Sequence, residues 1–512
     1  MTFYDTLEEI GLSQILDIPE YNPIKFENAE KIYASIDDFR KNNSKVLIYG
    51  DYDADGCMCV KDWVLFMQWV GHTNYEIYEY ADRMHTLDPG AVKQAIEGDF
   101  QYILVNDTGS SELGENGLIT KLLAHDIKVI IIDHHFTAYN YEDYPENCAI
   151  VNNVIENRMH PENVEVIVSA GCLVYLILDY YLKSRNIVKY TAQMACYALV
   201  SLYADSIDMS SELNRAIYYE AMTIRDYGKV PLDIQIFIEK YTTFCRHFIE
   251  YGYAPKINCC FRNEIFGVLN DYLECTHDSV MIMTGKVKLI SELHLQTAKL
   301  IGEVVEKIEY EVLNNFVIAN LNSVANEYDI EQTRLYNFTG LIANKLAERH
   351  GKCCVVWCAR NGKIRGSFRD LQSRNYLPIF KQFCKADGHP PAFGFSLSLW
   401  QYNSFIESIK RVDKYFYLED ANNKPIIIGH PGLLPDTTLL QDIARYNEFS
   451  GSRIPLALIK KRMTADIRET VSSYGYKYRW GNFNISSPRR IKKGEEMLIY
   501  PYRNISLRMK VL

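Results

Sequence analysis

Short apolar runs that end at or beside an aspartate constrain this chain more than any other feature. KVLIYG (45–50) runs into Asp51, YILVN (102–106) into Asp107, and KVIII (128–132) into Asp133. YEIYEY (75–80) and CAIVNN (148–153) have the same strand-like character. Between them, segments 57–70, 88–98, 113–125 and 169–183 carry apolar residues at helical spacing. Strand and helix alternating with this period predict an α/β fold, a parallel sheet covered on both faces. Such sheets bind ligands at the carboxyl ends of their strands, which is where these aspartates stand.

The acids are too crowded to be ordinary. GDYDADG (50–56) puts Asp51, Asp53 and Asp55 at every second position of one turn. Carboxylates that close repel one another unless cations sit among them. Taken alone, an Asp-rich turn at a helix N-terminus is equally ordinary. The spacing D-x-D-x-D-G also resembles a calcium loop, but an apolar helix, CMCVKDWVLFMQWV, follows Gly56, so that reading is set aside. Asp107 precedes Thr108-Gly109, and Asp133-His134-His135 again follows a strand. A lone histidine is more often structural; two behind an aspartate at a strand end are harder to dismiss. Asp205, in ALVSLYADSIDM, could by itself be a helix-end carboxylate. Together these positions on successive elements of one sheet predict a single site. Carboxylates with an imidazole suit Mn²⁺ or Mg²⁺ rather than zinc. Enough acids exist for two divalent cations with one aspartate between them, an arrangement suited to in-line attack on a phosphorus ester.

These motifs, in this order, resemble the DHH phosphoesterase superfamily and its RecJ-type single-strand exonucleases in particular. FTGLIANKLAERHGKCCVVW, GSFRD and DGHPPAFGFSL resemble the associated C-terminal domain, and the likeness covers about 45–225 and 336–412. The resemblance implies that Asp53 and Asp55 are ligands of the two metals, that Asp107 bridges them, and that His134 and Asp205 complete the second site. Asp51 matches a family acid that is either a direct ligand or a supporting one. His135 would face the scissile phosphate as an electrophile or general acid. Arg369 and His389 would bind substrate phosphate from the second domain and close the cleft, with Ser367 and Gly388 shaping their motifs. In three places the chain departs from the family pattern. Tyr49 stands where several members have histidine, which would weaken one metal site, and Asp370 and Asp387 would add carboxylates beside the phosphate site.

The length predicts about three domains. The expected boundaries are 1–228 for the catalytic domain, 229–335 for a helical connector, 336–420 for a second, smaller α/β domain, and 421–512 for a basic, β-rich, OB-like domain. The net charge of −10 argues against nucleic acid only as a total. Residues 451–512 carry 14 Lys and Arg against 4 Asp and Glu. In YGYKYRWGNF (474–483) cations alternate with aromatics, as a single-strand binder that pairs phosphates and stacks bases would have them. The competing reading is a basic β surface whose Tyr and Trp are core.

The expected function is therefore a metal-dependent exonuclease on single-stranded DNA, 5′→3′ and releasing mononucleotides, in recombination, repair or replication. A single-strand-binding protein or a helicase would be its partner. The alternatives are a DHH phosphodiesterase on short oligonucleotides or cyclic dinucleotides, and a non-catalytic replication scaffold. The 13 cysteines include no C-x-x-C pair, the N-terminus lacks a signal-peptide profile, and no apolar run reaches about 18 residues. These features predict a cytoplasmic protein without a membrane span. The 38 tyrosines, with abundant Asn, Ile and Lys, fit an AT-rich bacterial or phage genome.

Overall fold

A computed structural model describes residues 2–20, 25–80, 86–163, 165–187, 189, 191–226, 230–238, 243–274, 280–371, 374–389, 391–415, 426–429, 436–450, 456–463, 467–470, 476–480, 483–487, 490–502 and 508–511. Contacts divide the chain into two compact units, 1–290 with 425–512, and 291–424. Among the described residues no helix is long and apolar enough to cross a membrane.

The first unit is built on a parallel sheet of β1 (Val46–Gly50), β2 (Tyr75–Ile77), β3 (Tyr102–Asn106), β4 (Lys128–Asp133) and β5 (Cys148–Asn152), in the order β2-β1-β3-β4-β5. Strands β1, β3 and β5 are buried at every residue, which is why they read as continuous apolar runs. The strand order reverses between β1 and β3, and a doubly wound sheet opens its ligand crevice at such a switch point. Register then aligns the acids. Gly50, Asn106 and Ile132 are partners across β1, β3 and β4, so Asp51, Asp107 and Asp133 follow in the next row. The run 75–80 is a strand only to Ile77; Tyr78 and Tyr80 beyond it pack their rings against Tyr49.

Helix Ala54–Val70 is buried from Ala54 through Met67. A helix apolar on all sides must be covered on all sides. It lies against β1 and against helices Ala170–Ser184 and Ala192–Ala204.

The C-terminal part of this unit is β-rich, as expected. β12 (Ile426–Gly429), β13 (Ala457–Arg462), β14 (Ile467–Thr470), β15 (Tyr476–Trp480), β16 (Phe483–Ser487), β17 (Glu496–Tyr502) and β18 (Arg508–Val511) form one sheet, ordered β12-β13-β17-β18-β16-β15-β14. Helix Thr437–Phe449 ties this part to the α/β core. The Tyr203 hydroxyl donates to the Glu448 carbonyl (2.8 Å), and Arg246 donates to that of Asn447 (2.9 Å). In β15 the alternation of rings and cations is strand periodicity. Tyr478 and Trp480 are fully buried, while Lys477 and Arg479 are exposed. These two rings are core, so the expected stacking role is corrected for them.

The second unit carries a sheet ordered β10-β11-β9-β8-β7-β6. Its strands are β6 (Glu309–Val312), β7 (Phe316–Asn320), β8 (Cys353–Arg360), β9 (Lys363–Arg369), β10 (Lys385–His389) and β11 (Ala392–Ser398). Helix Thr339–His350 connects β7 to β8, and β8 turns into β9 through Asn361 (φ 50°) and Gly362 (φ 72°), the tight hairpin that Asn-Gly predicts. The segment read as a helical connector is helical only as far as Lys307, and β6 and β7 then join this sheet. All four residues of β6 are exposed, so EYEV shows no in–out alternation, and only its pairing with β7 makes it a strand.

Candidate metal centre

Each carboxylate is set by its place on the fold. The N-cap of helix Ala54–Val70 is Asp53, whose Oδ1 accepts the N–H groups of Asp55 (2.9 Å) and Gly56 (3.1 Å). Gly56 packs against the Asp51 backbone so closely that a Cβ would stand 2.3 Å from the Asp51 carbonyl oxygen. Only glycine lets the acidic turn fold back on the strand end. Asp55 is fully buried and faces the start of helix Ala170–Ser184, where the N–H groups of Ala170 (3.0 Å) and Gly171 (2.8 Å) donate to its two oxygens. Ser201 donates its hydroxyl to the same carboxylate. Asp107 adopts a left-handed φ of 61° immediately after β3, and its N–H donates to the Ile132 carbonyl (2.9 Å).

The side chains converge. His134 Nε2 lies 3.2 Å from Asp107 Oδ1, 3.3 Å from Asp205 Oδ2 and 3.8 Å from Asp55 Oδ2. Three groups offer ligand atoms within 4.8 Å of one another: Asp51, Asp53 and Asp107; Asp55, His134 and Asp205; and Asp107, His134 and His135. Asp107 belongs to two of them, between the acids of the GDYDADG turn and the histidines.

Asp133, which ends β4, does a different job. Its Oδ1 accepts the N–H groups of His134 (2.8 Å) and His135 (3.0 Å) and lies 2.8 Å from His135 Nδ1, while Oδ2 accepts the Ser110 N–H (3.1 Å). It positions both histidines. Asn152 Nδ2 also donates to the His135 carbonyl (3.0 Å). The His135 side chain remains 58% exposed, free to meet a substrate.

The electrostatics ask for cations. Burial, then the Asp53 charge, pushes Asp51 far above the usual carboxylate range; burial with Asp55 and Asp53 does the same to Asp107. Burial and the Asp205 charge raise Asp55 to about 7. Burial works against a charged His134, but the hydrogen bond and charge of Asp205 outweigh it and raise the imidazole to about 9. Asp133 is held well below its ordinary value, because His135 and the Ser110 N–H outweigh its burial. Asp51 Oδ1 and Asp107 Oδ1 are buried without a hydrogen-bond partner. Oxygen-rich, crowded and carrying orphaned acceptors, this donor set fits hard divalent cations.

Several of these supporting residues escaped the sequence reading. Asp133 was visible in the D-H-H triplet, although its positioning role was not. Ser201 gave one signal, standing one helical turn before Asp205. The backbone donors at Ala170 and Gly171 gave none.

The other predicted residues lie in the second unit. Arg369, Ala392 and His389 share one row across β9, β11 and β10. Arg369 has no carboxylate within ion-pair distance among the described residues, and burial lowers it to about 10, still charged at neutral pH. Gly340 makes room for it: a Cβ there would come within 2.4 Å of the guanidinium. The Ser367 hydroxyl bonds that of Thr339 (2.9 Å), and Gly388 takes a φ of 129° that favours glycine. The His389 side chain lies outside the described residues. Asp370 is not the free carboxylate expected. It is buried and paired with Arg374, at 2.9 Å to Nη2 and 3.0 Å to Nε. Asp387 is exposed and accepts the Gly388 N–H (3.0 Å). Nor does Tyr49 face the acids with a free hydroxyl, which donates to the Thr86 carbonyl (3.2 Å).

Residues 45–200 match the model of the DHH family, N-terminal domain. The single-stranded-DNA-specific exonuclease RecJ of Escherichia coli is 22% identical over 390 residues, covering 71% of this chain and 65% of that protein. RecJ of Haemophilus influenzae is 25% identical over 174 residues, 34% of this chain and 29% of that protein. The chain thus spans less than two thirds of these curated relatives. In fold it matches the Mn²⁺ complex of RecJ from Thermus thermophilus with a TM-score of 0.72 at 16% identity, over 99% of this chain and 74% of that one. Residues 45–200 match a DHH-family N-terminal domain, and the chain as a whole is RecJ-like in sequence and fold.

Proposed function

We propose that this chain is a metal-dependent exonuclease that hydrolyses phosphodiester bonds of single-stranded DNA, 5′→3′, releasing mononucleotides. The observation that carries the reading is the convergence of Asp51, Asp53, Asp55, Asp107, His134 and Asp205 around orphaned ligand atoms. Asp51, Asp53 and Asp107 would hold one divalent cation, and Asp55, His134 and Asp205 a second, with Asp107 between them. When bound, Mn²⁺ or Mg²⁺ would activate water and neutralise charge on the phosphorus ester. His135, exposed and fixed by Asp133, donates a hydrogen bond or proton to the scissile phosphate. Arg369 is a cation without an acidic partner among the described residues, and it holds a substrate phosphate by charge-assisted hydrogen bonds. His389, one row across the sheet, is assigned the same role, with Ser367 and Gly388 shaping the strands that carry the pair.

The test is digestion of 5′- and 3′-end-labelled single strands with Mn²⁺, with Mg²⁺ and with EDTA. Mononucleotides should leave the 5′ end in either metal, and EDTA should stop the reaction. His135→Ala should cost about 10²–10⁴-fold in turnover. Turnover of a dinucleotide but not of a 30-mer would replace this reading with the short-oligonucleotide one.

A further inference from the structure

One face of the second unit's sheet is buried. Ile364 and Phe368 of β9, Phe393, Phe395 and Leu397 of β11, and Ala386 of β10 all point into a single apolar cluster. Side chains alternate along a strand, so their neighbours stand on the opposite face. There β11 presents only Ala392, Gly394, Ser396 and Ser398. Across one row, Arg365 of β9 pairs with Ser396, and Ser396 pairs with Lys385 of β10; Lys363 stands opposite Ser398. Lys363, Arg365 and Lys385 are exposed. No carboxylate lies within ion-pair distance of any of them among the described residues. Asp387 is the one acid that β9, β10 and β11 place on this face, and its carboxylate accepts the Gly388 N–H. The result is an aisle with a small-residue floor and cationic sides. It is two strand spacings wide, about 10 Å, and about 20 Å long. Just past Ser398, Trp400 is 83% exposed.

We propose that this face is a track for single-stranded DNA, with phosphates held between Arg365 and Lys385 over β11 and a base stacked on Trp400. It rests on the reading that the chain acts on single strands, and it adds a site to that reading. Cations without acidic partners attract a polyanion, and a floor without bulky side chains lets a backbone approach closely. An exposed indole two residues past the end of β11 supplies the sequence-tolerant stacking that single-strand binders use. A duplex turns its bases inward and offers Trp400 nothing to stack on.

The experiment is fluorescence anisotropy of a labelled 20-mer single strand, and of its duplex, titrated with the full chain in EDTA, where no strand is cut. Arg365→Ala/Lys385→Ala should weaken single-strand binding about tenfold. It should also reduce the slope of log K against log salt by about 1.4, two phosphates at about 0.7 each. Gly394→Leu keeps every charge. Its Cβ meets nothing nearer than two carbonyl oxygens at 3.9 and 4.0 Å, so its side chain fills the aisle without disturbing the sheet. It should weaken binding at least about fivefold. Trp400→Ala should lose affinity for the single strand and leave the duplex unchanged. Wild-type affinity and salt slope in all of these variants would overturn the track, as would a wild type that binds no single strand. A wild type that binds but does not cut when metal is restored would overturn the nuclease reading and leave the track standing.

Discussion

His135 Nδ1 lies 2.8 Å from Asp133 Oδ1, and the same oxygen accepts the N–H groups of both His134 and His135. One carboxylate at a strand end therefore fixes the backbone and the ring of His135, the residue proposed to meet the substrate. Asp133→Asn should lower kcat by about 10- to 100-fold, the usual cost of losing a carboxylate that orients a working histidine. Steady-state kinetics with Mn²⁺ measures this, and Mn²⁺ should still raise the Tm of the variant, because none of the grouped ligand atoms is removed.

Asp107 is shared between the acidic turn and the histidines. Asp107→Ala should abolish hydrolysis, by about a thousand-fold or more, and flatten the rise in Tm that Mn²⁺ gives the wild type. Calorimetry in EDTA and in Mn²⁺ reads the second effect. An undiminished metal shift in this variant would remove Asp107 from the site.

The metal-free protein should lose stability as pH rises. Asp55 titrates near 7 in the fold against an ordinary 3.8, so the folded state binds the extra proton between those values. Stability is then greatest at the acid end of that window and falls through pH 7. The raised His134, at about 9, extends the decline to higher pH, since its charge is lost there. Divalent cations should oppose the trend, so the gain in Tm on adding Mn²⁺ should be larger at pH 7.5 than at pH 5.5. Equal gains would contradict the crowding of these acids.

Asp370 and Arg374 form a buried pair, 5% and 1% exposed at the guanidinium and carboxylate side chains. Arg374→Ala strands the carboxylate and should cost about 3–5 kcal/mol in urea unfolding. Replacing both, as in Asp370→Ser/Arg374→Met, should recover most of that loss.

Trp480 is buried beneath β15. Its fluorescence should be shielded from acrylamide and unmoved by single-stranded DNA, and Trp480→Ala should cost about 3–5 kcal/mol of stability. Trp400 should show the reverse on both counts.

Much of the first unit's α/β core was legible in the chain. A strand buried on both faces must be apolar throughout, so β1, β3 and β4 announced themselves, and a residue that follows such a strand emerges at one edge of the sheet. The aspartates at 51, 107 and 133 thus stand at strand ends by the apolar pattern alone. β6 was not legible, because an edge strand exposed at all four positions has no periodic signature.

What the sequence determined by itself is this local pattern: which runs are strands, where their carboxyl ends fall, and that GDYDADG, D-H-H and Asp205 belong to one site. Only the tertiary structure decided what each polar group does there. Asp133 positions the histidines while Asp107 lies among them, although each follows an apolar run in the same way. Ala170 and Gly171 reach Asp55 from more than a hundred positions away. Asp370 is neutralised by Arg374, and the rings of Tyr478 and Trp480 turn inward. Periodicity is written along the chain because it follows from backbone geometry. Hydrogen-bond partners and the buried side of a strand are settled across it, by whichever distant elements the packing brings together.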